Sequence, residues 1–107
     1  MDDHYDVRVM ICKVVNKYNS DFDINIQRGT MRGNPYKDGT REENIERFRV
    51  YFIEKIKNKI ITRDHLEVLR GMRLGCTCYP KQCHGDIIAH VVNTLFKDNI
   101  LDNFFED

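Results

Sequence analysis

The chain has no excess of either charge: seventeen basic and seventeen acidic side chains leave a formal net charge of zero over 107 residues. A neutral molecule has no general attraction to nucleic-acid phosphates or to an anionic membrane, so any anion binding must be local. The one basic stretch, Arg47, Arg49, Lys55, Lys57 and Lys59, is interleaved with Glu42, Glu43, Glu46 and Glu54 and reads as a solvated, salt-bridged helix face. No apolar run approaches the roughly 20 residues that a membrane span needs. The acidic start Met1-Asp2-Asp3-His4 lacks the basic and apolar parts of a signal peptide. The expectation is a cytoplasmic protein with no membrane contact, for which DNA and RNA are disfavoured partners. The length also excludes a second core, so residues 1–107 are expected to form a single domain.

What the chain does have is a concentration of reactive side chains. Three of its four cysteines and one of its four histidines fall within nine positions, from Cys76 through Cys78 and Cys83 to His84. Thiolates and imidazole bind soft metals, attack carbon or phosphorus and relay protons near neutral pH, so their clustering marks a site. Disulfides are rare in the cytosol, so such a cluster is read as metal-binding, catalytic or reduced. Cys12, alone in the apolar run Val9 to Cys12, reads as a small buried hydrophobe.

Val7 to Val15 and the alternating Phe22, Ile24 and Ile26 predict two strands, the second with one solvated face. Gln27 to Tyr36 follows neither period, and its two glycines, Asn34 and Pro35 mark a shaped loop. Thr40 with Glu43 at capping-box spacing predicts a helix ending near Asn58 or Lys59, with Ile45, Phe48, Tyr51, Phe52, Ile56 and Ile60 on one side. Thr62 and Asp64 open a shorter helix through Leu69, closed by Gly71. Met72 to Cys78 reads as a third strand and His84 to Phe96 as the last helix. In the polar tail 97–107, Ile100, Leu101, Phe104 and Phe105 could dock or meet a partner.

Strands separated by helices predict an α/β fold: a small, layered domain with a short, mostly parallel sheet packed by helices. Ligands in such folds lie beyond the carboxyl ends of strands. Both unusual loops fall there. The loop after the second strand carries Arg28, Arg32 and the backbone amides of Gly29 and Gly33. The loop after the third runs into a helix start that attracts anions. Asp86 either charges that helix start or holds His84 in one tautomer. Tyr36 and Tyr79, each beside a proline, could stack on a ring. His4, His65 and His90 read as core or surface histidines.

The motifs Arg28-Gly29-Thr30, Gly33-Asn34-Pro35, Gly39-Thr40-Arg41-Glu42-Glu43, Leu69-Arg70-Gly71, Leu74-Gly75-Cys76-x-Cys78-x-Pro80 and Cys83-His84-Gly85-Asp86 occur in order. Together they resemble the domain-of-unknown-function 4326 family of bacteria and tailed phages, over roughly Val7 to Asn93. The family's pattern carries Trp where this chain has Arg32 and Thr77, so two aromatic surfaces are missing here. The resemblance implies a compact α/β domain, often phage-borne. A similarity of the strand-Cys-His-helix segment to other small Rossmann-like domains points to the handling of nucleotides or bases.

The leading functional reading is a pocket for a nucleotide or nucleotide-derived ligand. Arg28, Gly29, Thr30, Gly33, Asn34, Pro35, Cys78 and Gly85 would bind it, and Cys83, His84 and Asp86 would carry any chemistry. Cys83, at a helix start beside His84, is expected to have its thiol pKa lowered toward neutrality, with Asp86 or Glu43 as base or orienting group. The reaction would be hydrolysis or transfer at a glycosidic or phosphate centre; a pure binder uses the same pocket without turnover. This reading needs no cofactor. The alternatives are a zinc site from Cys76, Cys78, Cys83 and His84, and a host-protein interaction module built on the charged helix and the Phe104-Phe105 tail.

Overall fold

The apolar segments around Val14, Ile24 and Leu74 pair through their backbones into a three-stranded parallel sheet. In a computed structural model of the chain, which describes residues 11–27 and 29–96, the elements run β1 (Lys13–Asn16), β2 (Ile24–Asn25), α1 (Arg41–Lys57), α2 (Arg63–Glu67), β3 (Arg73–Cys76) and α3 (Gly85–Leu95). The strand order is β1-β3-β2, with Leu74 opposite both Val14 and Ile24. The fold is therefore α/β with a short parallel sheet. As the central strand, β3 is covered on both faces, and Leu74, Gly75 and Cys76 are all buried. Of the first expected strand, Val7 to Met10 lie outside the described residues, as does the tail from Lys97 with its four apolar side chains.

The second strand is shorter than the alternation from Phe22 to Ile26 predicts, because side chains claim the backbone at both ends. The Asp23 carboxylate accepts the Arg73 backbone N–H at 2.7 Å and the guanidinium at 3.0 and 3.1 Å. At the other end Asn25 Oδ1 accepts the Gln27 N–H at 3.0 Å, an Asx-turn that bends the chain out of the sheet. The Arg73 hydrogen bonds hold the Asp23 carboxyl below its usual pKa. A lowered pKa means that the contribution is complete above the unfolded value of about 3.9 and is lost as pH falls through the folded one. Asp23→Asn should therefore lower the melting temperature at pH 7, with the difference from the parent protein closing as pH drops below about 4. A gap of the same size in thermal melts at pH 7 and pH 2 would contradict this role.

Helix α1 begins as its sequence predicts: Thr40 Oγ1 accepts the Glu43 N–H at 3.1 Å and Glu43 returns a carboxylate oxygen to the Thr40 N–H at 3.0 Å. It closes at Asn58, and Lys59 takes a left-handed φ of 63°. The N–H groups of Ile60 and Ile61 then both donate to the Lys55 carbonyl. Ile60 thus falls past the helix and is exposed, contrary to its expected place on the buried face. In α2 the capping partner is His65: its Nδ1 accepts the Thr62 N–H at 3.1 Å. The helix ends at Glu67, and Leu69 sits in the turn that Gly71 closes with φ 71°.

Helix α3 packs on β1 and α1, and the core gathers Ile26, Leu74, Ile88, Val92 and Phe96 around Cys12. Asn93 of α3 grips the backbone of Cys12 through both ends of its amide, at 2.8 and 2.9 Å. Burial pushes the Cys12 thiol up to about 12, so this cysteine is the inert hydrophobe that its apolar context predicts.

Candidate functional site

Because β2 and β3 are parallel neighbours, the loops leaving their carboxyl ends start side by side. One, residues 27–40, crosses to α1, and the other, residues 77–84, enters α3. Between them and the first turns of α1 lies a cavity of about 400 Å³. Two cations, Lys37 and Arg41, line it together with the amide side chains of Gln27, Asn34, Asn44 and Gln82. Its remaining wall is Ile45, Thr77, Cys76, Cys78, Cys83 and His84.

The cysteine spacing acquires a meaning here that sequence leaves open. Cys76 closes β3 and Cys83 precedes α3, and their sulfurs meet at 3.3 Å, both buried. All four cysteines are free thiols. One of the two sulfurs accepts the S–H of the other, and the backbone N–H of Cys78 adds a bond to Cys76 Sγ at 3.4 Å. These bonds, together with a contribution from the Tyr79 amide, bring the Cys76 thiol down to about 6 against the opposing cost of burial. Cys83 moves the opposite way. Its hydrogen bond to Cys76, its burial and the neighbouring charges of Cys76 and Asp86 raise its pKa, although the Gly85 N–H points at its sulfur from 3.3 Å. The low-pKa thiol expected at Cys83 is therefore Cys76, because a hydrogen bond between two thiols favours the thiolate of the acceptor.

His84 lines the cavity, and its ring is held by the Arg32 carbonyl and Phe48. Its Nε2 lies 3.0 Å from the Arg32 carbonyl, which can only accept, so this nitrogen carries a proton. The ring packs T-shaped against Phe48, with centroids 5.0 Å apart. Asp86 takes the helix-start role: its carboxylate accepts the Cys83 N–H at 3.1 Å. Cys76, Cys78, Cys83 and His84 do not form one ligand set, and among the described residues no three His, Cys, Asp or Glu side chains gather as a metal site.

Arg28 lies outside the described residues. Of the other expected binding residues, Asn34 and Cys78 reach the cavity. Asn34 also ties its loop to α1, donating to the Asn44 carbonyl at 3.2 Å and accepting the Tyr36 N–H at 2.9 Å. Thr30 turns its hydroxyl onto the Gln27 carbonyl, and Gly29 supplies a left-handed φ of 93° to the same turn. Gly33 lines a separate, more apolar cavity of about 320 Å³ beside Phe52 and Leu66. Pro35 is exposed and lines neither cavity, and Gly85 is a packing residue whose missing Cβ leaves room for Ile26 and Val14. Tyr36 packs edge-on against Tyr51 at 5.8 Å, away from the sulfur site, and Tyr79 is half exposed. The cations that line the cavity, Lys37 and Arg41, are the residues that pattern reading passes over. Arg41 stands in the Gly39-Thr40-Arg41 motif at the start of α1, and its guanidinium spans to the Gln82 carbonyl at 3.0 Å, joining the two loops.

These features define a small α/β domain with a cation- and thiol-lined cavity beyond the carboxyl ends of a parallel sheet. The chain belongs to the family described as Domain of unknown function (DUF4326), whose pattern matches residues 11–94. It is 66% identical over 91 residues to a protein of Enterobacteria phage T4 described as an uncharacterized 12.4 kDa protein in the nrdA-td intergenic region, covering 83% of this chain and 84% of that relative. No solved structure matches the chain. Among the described residues, no helix is long and apolar enough to cross a membrane.

Proposed function

We propose that this domain binds a nucleotide or nucleotide-derived ligand in the cavity between the 27–40 loop and the cysteine loop, as a small Rossmann-like binding domain. The observation that carries the reading is the lining. Lys37 and Arg41 offer positive charge for phosphate, and Gln27, Asn44 and Gln82 offer the mixed donors and acceptors that suit a base edge. A volume of about 400 Å³ falls within the roughly 300–1,000 Å³ usual for small-molecule sites. With a chain of zero net charge, these local cations are what draw an anion to this face. Where turnover follows binding, Cys76 is the nucleophile, since its thiol pKa is lowered and it lies on the cavity wall. Cys83 then acts as its proton-donating partner.

The test is calorimetric titration with purine and pyrimidine mononucleotides and their nucleosides. Mononucleotides should bind and nucleosides should bind weakly. Arg41→Ala should cost about tenfold in affinity, the equivalent of one charge-assisted hydrogen bond of about 1.5 kcal/mol. Both residues are exposed, so Lys37→Ala and Arg41→Ala should melt with the parent protein. Absence of heat with every nucleotide, or equal binding by both variants, would remove this reading.

A further inference from the structure

Independently of any ligand, the Cys76–Cys83 pair has the geometry of a redox site. We propose that the two sulfurs form a reversible intramolecular disulfide when hydrogen peroxide enters the cavity. The sulfurs are 3.3 Å apart and must close by only about 1.3 Å to reach a bond of about 2.05 Å. They sit on different elements, β3 and the approach to α3, joined by the loop 77–82. Both line the cavity, so a small oxidant reaches them although neither side chain is on the outer surface. Cys12, by contrast, is buried beneath Asn93 and lines no described cavity.

The chemistry balances with the peroxide as the electron acceptor. The Cys76 thiolate attacks one peroxide oxygen, forming an S–O bond as the O–O bond breaks, and hydroxide leaves and is protonated to water. Cys83 sulfur then attacks Cys76 sulfur, forming the S–S bond as the S–O bond breaks. The Cys83 proton departs with that oxygen as a second water. The two thiols lose two electrons in total, and one peroxide becomes two waters. A dithiol reductant reverses the change by exchange. In the reduced state the Cys83 sulfur already lies 3.3 Å from Cys76, so the resolving thiol is in place before the first step. Oxidation ties the Thr77 to Gln82 loop at both ends.

The experiment exposes the full chain, freed of reductant, to equimolar hydrogen peroxide, then denatures, alkylates and digests it with trypsin. Cleavage after Arg73 and Lys81 puts Cys76 and Cys83 on different peptides. The expected result is a covalent link between those peptides, with fragment masses placing it at Cys76. Alkylatable thiols should fall from four to two and return to four with dithiothreitol. Cys78→Ser should form the same link. A link through Cys78, a link between two chains, or full alkylation of Cys76 and Cys83 after peroxide would overturn the assignment.

Discussion

Gly85→Ala is expected to destabilise the domain by about 3 kcal/mol, at the upper end of the usual overpacking cost. A Cβ at this first residue of α3 would stand 2.5 Å from Ile26 Cδ1, 2.9 Å from Val14 Cγ2 and 3.3 Å from Cys83 Sγ. Ile26 is wholly buried and Val14 nearly so, so neither can swing into solvent. The opposing gain in helix propensity, about 1 kcal/mol at most, is smaller. The helix must therefore lift off the sheet, carrying Cys83 away from Cys76. Denaturant unfolding of Gly85→Ala measures the loss. Adding Ile26→Val removes the nearest clashing atom and should restore part of it, a positive coupling between two contacting sites. Gly75 is a second close approach: the three nearest atoms to a Cβ there are Cγ, Cδ2 and Cβ of Phe22, at 2.6 to 2.9 Å, and the Phe22 Cβ cannot be moved by turning the ring. A loss below about 1 kcal/mol for Gly85→Ala, or no recovery in the double variant, would refute the packing argument.

Phe48→Ala should cost about 3–5 kcal/mol, the range for removing a buried aromatic ring. Phe48 is 2% exposed, stacks on Phe52 at 5.4 Å and packs T-shaped against His84 at 5.0 Å. It therefore links the core of α1 to the start of α3 and so to the wall of the cavity. Phe48→Leu separates these roles, because it keeps apolar volume at a cost of about 1.5 kcal/mol or less while removing the ring. In that variant the protein should stay folded. The carbon-bound ring protons of His84, shielded or deshielded by the Phe48 ring current, should move toward ordinary imidazole positions in the NMR spectrum. Unmoved His84 resonances, or a loss below 1 kcal/mol for Phe48→Ala, would show that the ring contact does not organise this corner.

The start of α1 was legible because a capping box is a local device: Thr40 and Glu43 satisfy each other's backbone within one turn. The length of β2 was not, because Asp23 finds its partner fifty residues away at Arg73, and no periodicity records that. His65 is a smaller example. A histidine at the third helical position can accept the cap N–H through Nδ1, a role that the usual Glu or Gln pattern does not suggest. Family membership was legible from six ordered motifs, and residues 11–94 match where about 7–93 was expected. Asn34, Cys78, Cys83 and His84 line one cavity, and the cations Lys37 and Arg41 that line it with them were not singled out. A lysine or arginine in a loop looks the same in sequence whether it faces water or a pocket.

By itself the sequence determined an α/β chain of zero net charge, an inert Cys12, a capped α1 and a reactive loop delivered by a strand into a helix. These depend on composition, on period and on contacts within a few residues. Tertiary structure alone decided that two of the sulfurs meet. Cys76 and Cys83 are seven positions apart, and their pKa values move in opposite directions only because the β3 end and the α3 start bring the sulfurs to 3.3 Å in a buried place.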